Sequence, residues 1–189
     1  MKRTNVVILI LACFLAISAP VMAARRAQVA QGMRGSHSLA FVQEGIRKRL
    51  ASLPYYSVFD NLYFSFDGDT VILGGEVVRP TTKSDAEHAV RSVEGVENVV
   101  NNIEVLPLSS IDERIRAVAY QKIFSHPQFT QYALQPVPPI HIIVKNSNLK
   151  LEGVVANNSD KILAGMLANQ ISGVFSVENN LRVENEKNR

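Results

Sequence analysis

The side chains that could bind a metal ion or act in catalysis are few and widely spaced. The four histidines of the chain are His37, His88, His126 and His141. No two of them have the HxH or HxxxH spacing that lets one strand or one helix present two imidazoles to the same metal ion. Asp67-Gly68-Asp69 holds two carboxylates, but it lacks the further oxygen ligands of a calcium loop and has the composition of a tight turn. We therefore predict neither a metal site nor a bound cofactor.

The sequence also lacks the motifs of the common enzyme classes. It contains no Gly-x-Ser-x-Gly nucleophile elbow, no phosphate-binding P-loop and no dinucleotide-binding fingerprint. Gly74-Gly75 falls within a strand-like run rather than before a helix. The single cysteine, Cys13, excludes an internal disulfide and a cysteine-rich zinc site. These absences favour a binding protein over an enzyme, and we predict no catalytic residue.

The first 23 residues have the layout of a secretory signal peptide. A positively charged end precedes the apolar run Val6–Ile17, and a small-residue cleavage motif ends at Ala23. Cleavage there predicts a periplasmic protein and leaves residues 24–37 as a linker. Two alternatives are an uncleaved N-terminal anchor and lipoprotein processing at Cys13. The second is disfavoured because apolar residues continue past the cysteine.

Charge is unevenly distributed along the rest of the chain. Residues 38–106 carry 6 Lys and Arg against 10 Asp and Glu, a net charge of −4, whereas residues 107–189 carry 9 against 7, a net charge of +2. No broad basic surface is present, and only 7% of the residues are aromatic, so we predict no nucleic-acid partner. If the protein meets an anionic surface, the second half is electrostatically favoured.

An internal repeat organises the chain. Two stretches, 71–77 and 93–105, recur 78 residues later. The matched positions are Gly75 with Gly153, Gly95 with Gly173, and Asn101-Asn102 with Asn179-Asn180. Several matches at one offset indicate a tandem domain duplication rather than a solenoid. We place the two domains at 38–106 and 107–185, with 186–189 as a short tail.

Each copy has the pattern of an αββαβ unit. In the first copy, apolar residues from Leu39 to Leu53 share one helical face, and alternating residues around Phe64 predict a strand that ends in a tight turn. A capping box at Ser84 predicts the second helix, and Val99–Val105 is the last strand. The second copy repeats this order, with 131–139 as an inserted loop. The predicted fold class is α+β, with two tandem domains that each form a three-stranded mixed sheet with two helices on one face.

The four repeated glycines have structural roles in this prediction. Gly75 and Gly153 lie within return strands, where a glycine permits a close backbone approach. Gly95 and Gly173 follow the second helix of each copy and are expected to end it.

The element order and these motifs resemble those of the BON domain, a family named for bacterial osmotically inducible and nodulation proteins. The residues that carry the resemblance are the return strands 71–77 and 149–155 and the helix-to-strand segments 93–105 and 171–183. The resemblance covers about residues 38–185, and the 131–139 insertion departs from it. It implies a periplasmic or envelope protein, with phospholipid binding and a role in envelope integrity or osmotic stress tolerance.

The first helix of the second copy, about residues 111–124, is apolar on two sides. One stripe consists of Ile111, Ile115 and Val118, and the other of Ala117, Tyr120 and Phe124. Three basic residues flank them: Arg114, Arg116 and Lys122. One stripe packs on the sheet of its own domain, so the other needs a second partner: a membrane surface, the first domain or another subunit.

We predict that Tyr120, Phe124 and the three basic residues contact an anionic phospholipid surface. An alternative function is a protein-interaction or scaffolding module of the envelope that uses the same residues, and the oligomeric state stays open. On either interpretation, loss of Tyr120 and Phe124 is expected to weaken binding more than folding.

Overall fold

The computed structural model of the protein describes residues 39–135 and 137–184. The predicted signal peptide, its cleavage site, Cys13, the linker and the tail beyond 184 lie outside these residues. The described residues from Gly45 onward belong to one compact unit, which holds the second repeat and all of the first except the start of its first helix. In the described parts of the chain, no helix is both long enough and apolar enough to cross a membrane.

The described elements follow the predicted order in both copies. In the first copy they are α1 (39–51), β1 (Asn61–Asp67), β2 (Thr70–Val77), α2 (Pro80–Arg91), β3 (Asn98–Asn101) and β4 (Glu104–Val105). In the second they are α3 (Ser110–Phe124), a 3₁₀ turn (Pro127–Phe129), α4 (Thr130–Ala133), β5 (Ile140–Lys145), β6 (Asn148–Val155), α5 (Asn158–Asn169), β7 (Ser176–Asn179) and β8 (Arg182–Val183). The predicted α+β class with two tandem αββαβ units is confirmed.

The two sheets have the same topology. β1 and β2 form an antiparallel hairpin, and β3 and β4 both pair with β2 in parallel, which gives the order β1-β2-β3. β5, β6, β7 and β8 repeat this arrangement. The predicted last strand of each copy is therefore split into two short pieces. The backbone bonds from Asn102 N to Leu73 O (2.9 Å) and from Asn180 N to Leu151 O (2.9 Å) carry the ladder across each break.

Gly75 and Gly153 are equivalent, as the repeat predicts, and neither position has room for a side chain. Their φ angles are +116° and +119°. A Cβ atom on Gly75 would lie 1.9 Å from the carbonyl oxygen of Asn61, and one on Gly153 would lie 2.0 Å from that of Pro139. Both carbonyls belong to the chain at the start of the neighbouring strand. The two hairpins therefore depend on the same close backbone approach.

The repeated asparagines also have a structural role. Asn101 Nδ2 donates to the carbonyl oxygen of Lys83 at 2.9 Å, and Asn179 Nδ2 donates to that of Lys161 at 2.7 Å. In each copy the Oδ1 atom of the same asparagine accepts the backbone N–H two residues further on. The side chain thus joins the last strand to the first turns of the second helix.

The second helix of each copy starts and ends earlier than predicted. α2 ends at Arg91 with Ser92 as its C-cap, and α5 ends at Asn169 with Gln170 as its C-cap, so the prediction that Gly95 and Gly173 end these helices is wrong.

α2 begins at Pro80 after Arg79, which provides no side-chain cap, and Ser84 lies inside the helix. Proline at the first position has the φ angle of a helix, and it has no N–H group that would need a hydrogen-bond acceptor. This helix can therefore start without a capping box. In the second copy Asn157 is the N-cap, and its Oδ1 accepts from Asp160 N at 2.9 Å.

The insertion in the second copy is more ordered than the predicted loop. Its first residues belong to α4, and Phe129 and Tyr132 lie in the core of the second domain. Tyr132 Oη donates to Asp160 Oδ2 at 2.5 Å and accepts from Ala156 N at 2.9 Å. The expectation that all of 131–139 is loop is wrong, because these buried aromatic residues hold its beginning in place.

Candidate functional site

The helix α3 carries all five residues predicted to bind lipid or a partner, and its N-terminus is fixed to a hairpin. Ser109 Oγ accepts from Asp112 N at 3.2 Å, as an N-cap does. The buried carboxylate of Asp112 accepts from Asn146 N (3.0 Å) and Ser147 N (2.8 Å) in the β5–β6 turn. Asn146 and Ser147 have φ angles of +52° and +63°, so the carboxylate stabilises a turn that is strained without glycine.

Two of the five predicted site residues are buried. Phe124 is 7% exposed and belongs to the core of the second domain. Arg116 is 4% exposed, and its Nη2 donates to the carbonyl oxygen of Val144 at 2.7 Å. Burial lowers the pKa of Arg116, an effect that Asp112 opposes. The prediction that Phe124 and Arg116 lie on an outward-facing surface is wrong, because this side of α3 packs inside the protein.

The first domain contacts the second apolar side of α3. Val58 and Phe59, in the loop before β1, pack against the core of the second domain. The ring of Tyr120 lies edge-on to that of Phe59 with centroids 6.1 Å apart, and it is 5.0 Å from that of Phe124. Of the three predicted partners for this side, the structure shows the first domain. No local sequence pattern marks Val58 and Phe59 as a docking segment, and so the sequence analysis missed them.

The same loop is bonded to the second sheet. Val58 O accepts from Ile142 N at 2.8 Å, at the edge of β5. The buried carboxylate of Asp60 shapes the loop by accepting from Ser57 N (2.9 Å), Ser57 Oγ (2.8 Å) and Val78 N (2.8 Å). Val58 and Phe59 are thus fixed by Asp60 within the first domain and by the hydrogen bond to β5 of the second domain.

The first domain also contacts the face of the second sheet that is opposite its helices. Ile143 lies on this face and is only 2% exposed. Lys150 Nζ lies 3.0 Å from Glu76 Oε1, and Lys145 Nζ lies 2.5 Å from Glu104 Oε1. The hydrogen bond to Glu76 raises the pKa of Lys150. Part of the positive charge of the second domain is therefore paired with acidic side chains of the first domain.

The remaining predicted site residues lie nearer the surface. Arg114 is exposed, and Tyr120 is partly exposed beside Phe59. Lys122 is half-buried, and its Nζ donates to the carbonyl oxygen of Gln170 at 3.4 Å, at the end of α5. A role for Arg114 and Lys122 in binding stays a prediction.

Several exposed apolar side chains lie on the helical side of the second domain. α3 and α5 pack against each other and on the same face of the sheet. Their exposed apolar residues, together with Arg114 and the loop residue Phe175, form a set that we call the outer apolar surface: Ile111, Arg114, Val118, Ile162, Met166 and Phe175. Phe175 is 86% exposed, and its N–H donates to Ser147 O at 2.8 Å, beside the turn that Asp112 holds.

The first domain has polar residues at the equivalent positions. At the offset of 78, Ile162, Met166 and Phe175 correspond to Ser84, His88 and Glu97. All three of these polar side chains are exposed. The two copies therefore differ in surface chemistry at these three matched sites, although the first domain exposes Leu39 and Phe41 on α1.

The described parts of the chain hold no group of three or more His, Cys, Asp or Glu side chains arranged to bind a metal ion.

Comparison with known proteins agrees with the repeat. The BON domain family matches residues 64–107 and 112–185, which is more than half of the chain. No curated protein matches. Two solved structures of CdsD, a structural protein of the type III secretion system of Chlamydia trachomatis, are similar at low identity. The C-terminal domain of CdsD has 13% identity, a TM-score of 0.27, and coverage of 74% of this chain and 96% of that one. The second structure has 15% identity, a TM-score of 0.26, and coverage of 76% and 93%. The chain belongs to the BON domain family, of which it holds two tandem copies.

Proposed function

We propose that the protein is a non-enzymatic binding module of the bacterial envelope, located in the periplasm, whose second BON domain contacts an anionic phospholipid surface. The observation that carries this proposal is the outer apolar surface. Its residues are exposed on a folded domain, and the equivalent positions Ser84, His88 and Glu97 of the first domain are polar. Large apolar side chains gathered on one side of a soluble domain are typical of a membrane or partner contact.

The chemistry of this surface suits a lipid interface. Phe175, Met166 and Ile162 can enter the boundary between headgroups and acyl chains, where each fully buried side chain of this size contributes roughly 1.5–3 kcal/mol. Arg114 lies on the exposed side of α3, where it can approach lipid phosphates; a basic residue near an anionic surface adds about 1 kcal/mol. These magnitudes support reversible association rather than permanent anchoring.

The charges of the two domains also favour one orientation on an anionic membrane. The first domain (38–106) carries a net charge of −4, whereas the second domain (107–185), with 7 Lys and Arg against 6 Asp and Glu, carries +1. An anionic membrane repels the first domain more strongly than the second, which favours contact through the second domain.

Sedimentation with vesicles tests this proposal. We expect the protein to sediment with vesicles that contain phosphatidylglycerol and to remain in solution with pure phosphatidylcholine. The triple variant Ile162→Ser, Met166→Ser, Phe175→Ser should lose most of this binding while its thermal unfolding is unchanged. The matched control is Val100→Ser, which removes an exposed apolar side chain from the first domain and should bind normally.

The alternative function, an envelope scaffolding module, uses the same surface for a protein partner. It predicts no effect of vesicles. Equal sedimentation of the triple variant and the native chain would exclude the outer apolar surface as the lipid contact.

A further inference from the structure

A cleft of about 540 Å³ lies between the two domains and includes none of the outer apolar surface. Its aromatic and polar lining consists of Tyr56, Asn61 and Tyr63 from the first domain and His141, Glu152 and Arg182 from the second. Clefts of about 300–1,000 Å³ at domain interfaces, with a few convergent polar groups, are the usual form of small-ligand sites.

The two domains contribute equivalent strand positions to this cleft. Tyr63 pairs with Gly74 in the first hairpin, and His141 pairs with Glu152 at the same register in the second. Tyr63 and His141 are 78 residues apart, as are Gly74 and Glu152. The duplicated scaffold thus presents an aromatic ring over a glycine on one wall and a polar pair on the other.

The ring of Tyr63 forms a fixed platform. A Cβ atom on Gly74 would lie 2.5 Å from Tyr63 Cε2 and 2.8 Å from Tyr63 Oη, so the ring rests directly against the glycine backbone. The side chain is nevertheless 60% exposed. One ring face is packed and the other is open. The apolar C–H face of a pyranose ring can stack on this open aromatic face, because no other side chain has to move away first.

Several polar groups around the cleft have unused hydrogen-bonding capacity. Among the described residues, the Arg182 guanidinium and the Asn61 amide have no hydrogen-bond or ion-pair partner. Glu152 Oε1 accepts from Asn180 Nδ2 at 2.8 Å, which leaves Glu152 Oε2 open to a ligand hydroxyl. Planar groups of this kind can each bond two adjacent hydroxyls of one sugar.

The charge of the lining is balanced at neutral pH. Burial raises the pKa of Tyr56 to about 12 and lowers the pKa of His141, so both rings are neutral. Arg182 and Glu152 carry opposite charges. Glu152 would repel an anionic headgroup and Arg182 would repel a cation, whereas an uncharged polyhydroxyl ligand can form hydrogen bonds with both side chains.

We infer that the interdomain cleft binds a neutral saccharide, with the sugar ring stacked on the open face of Tyr63 and its hydroxyls bonded to Asn61, Glu152 and Arg182. This site is separate from the outer apolar surface, so either can fail without the other.

The test is titration of the ¹⁵N-labelled chain, followed by amide chemical shifts. The probes are the trimer of N-acetylglucosamine, maltotriose and, as a charged comparison, glycerol 3-phosphate. We expect at least one saccharide to shift the amides of residues 61–63, 141 and 152–154 with a dissociation constant in the millimolar range, and glycerol 3-phosphate to shift them less. Tyr63→Ala and Arg182→Ala should each weaken binding about tenfold, whereas Tyr63→Phe should retain most of it.

The matched control is Tyr55→Ala, since Tyr55 is an exposed tyrosine outside the cleft, where Arg79 lies 4.7 Å from its ring centroid. This variant should bind as the native chain does. The inference is overturned if neither saccharide shifts the cleft amides, if Tyr63→Ala binds normally, or if glycerol 3-phosphate binds more tightly than both sugars.

Discussion

Phe59 of the first domain lies edge-on against Tyr120 of the second, with ring centroids 6.1 Å apart. This contact joins a loop of one repeat to the first helix of the other. Together with the bond from Ile142 N to Val58 O, it makes the two repeats one packed body. The aromatic side of α3 is consequently part of the domain interface, although Tyr120 stays 41% exposed.

We predict that replacing Tyr120 and Phe124 with alanine destabilises the protein. Phe124 is buried, and removal of a buried phenylalanine costs about 3–5 kcal/mol. For a protein of this size that lowers the melting temperature by about 6–20 °C. The measurement is thermal unfolding followed by circular dichroism.

The control for these aromatics is Val118→Ala, which removes an exposed apolar side chain from the same helix. Its effect should be below about 0.5 kcal/mol. A double variant as stable as Val118→Ala would show that Tyr120 and Phe124 are not part of a packed interface.

A second prediction concerns the repeated glycines. Gly153→Ala places a methyl group against Pro139 O and should prevent stable folding or cost several kcal/mol, because the contacting atom is backbone. Gly173→Ala is the comparison, since Gly173 also has a positive φ, +90°, but its added Cβ would meet no atom within 4 Å. Only backbone strain of about 1–2 kcal/mol applies there. Denaturant unfolding of both variants measures the difference, and equal losses would contradict the steric explanation.

The parts of the fold that could be predicted are those with local signals. The hairpin turns and the helical periodicity are each set by a few neighbouring residues, and the duplication is visible because short glycine and asparagine motifs recur at one offset of 78 residues. The start of α2 was misplaced because the Ser84 capping box competed with Pro80, and both are valid local signals. Local evidence does not decide between them.

The docking of the two domains could not be predicted in the same way. Phe59 and Tyr120 are far apart in the chain, and neither lies in a sequence motif that indicates a contact with the other. The amphipathic pattern of α3 showed that a second partner was needed, but lipid, protein and the first domain bury the same apolar area. Only the three-dimensional arrangement distinguishes among them.

A third prediction tests the anchor of the insertion. Tyr132→Phe removes the hydroxyl that donates to Asp160 Oδ2 and accepts from Ala156 N. Ala156 N then loses its acceptor, whereas Asp160 Oδ2 keeps the bond from Asn157 Nδ2, so we expect destabilisation of about 1–3 kcal/mol. Urea unfolding of this variant is compared with that of Tyr55→Phe, an exposed tyrosine. If the two variants are equally stable, the insertion is not held by this network.

The environment of His141 gives the last prediction its physical basis. Its ring lies 5.8 Å from that of Tyr56, across the domain interface. Burial lowers the pKa of His141, and the nearby Asp60 and the backbone of Ser57 and Asp60 oppose this effect. The folded protein therefore holds the neutral imidazole more strongly than the unfolded chain, whose histidine has a pKa of about 6.5.

We therefore predict that stability falls as the pH drops below about 6.5, because the unfolded state then binds a proton that the folded state binds less readily. Above this pH the contribution of neutral His141 to stability is fully present. As the pH falls below it, the contribution declines until the pH is lower than the pKa of His141 in the folded state. His141→Gln should have a flatter stability profile between about pH 7 and 5, and His88→Gln, which removes an exposed histidine away from the domain interface, is the control. Urea unfolding at several pH values measures all three proteins. Parallel profiles for His141→Gln and the native chain would show that this interface histidine does not link folding to pH.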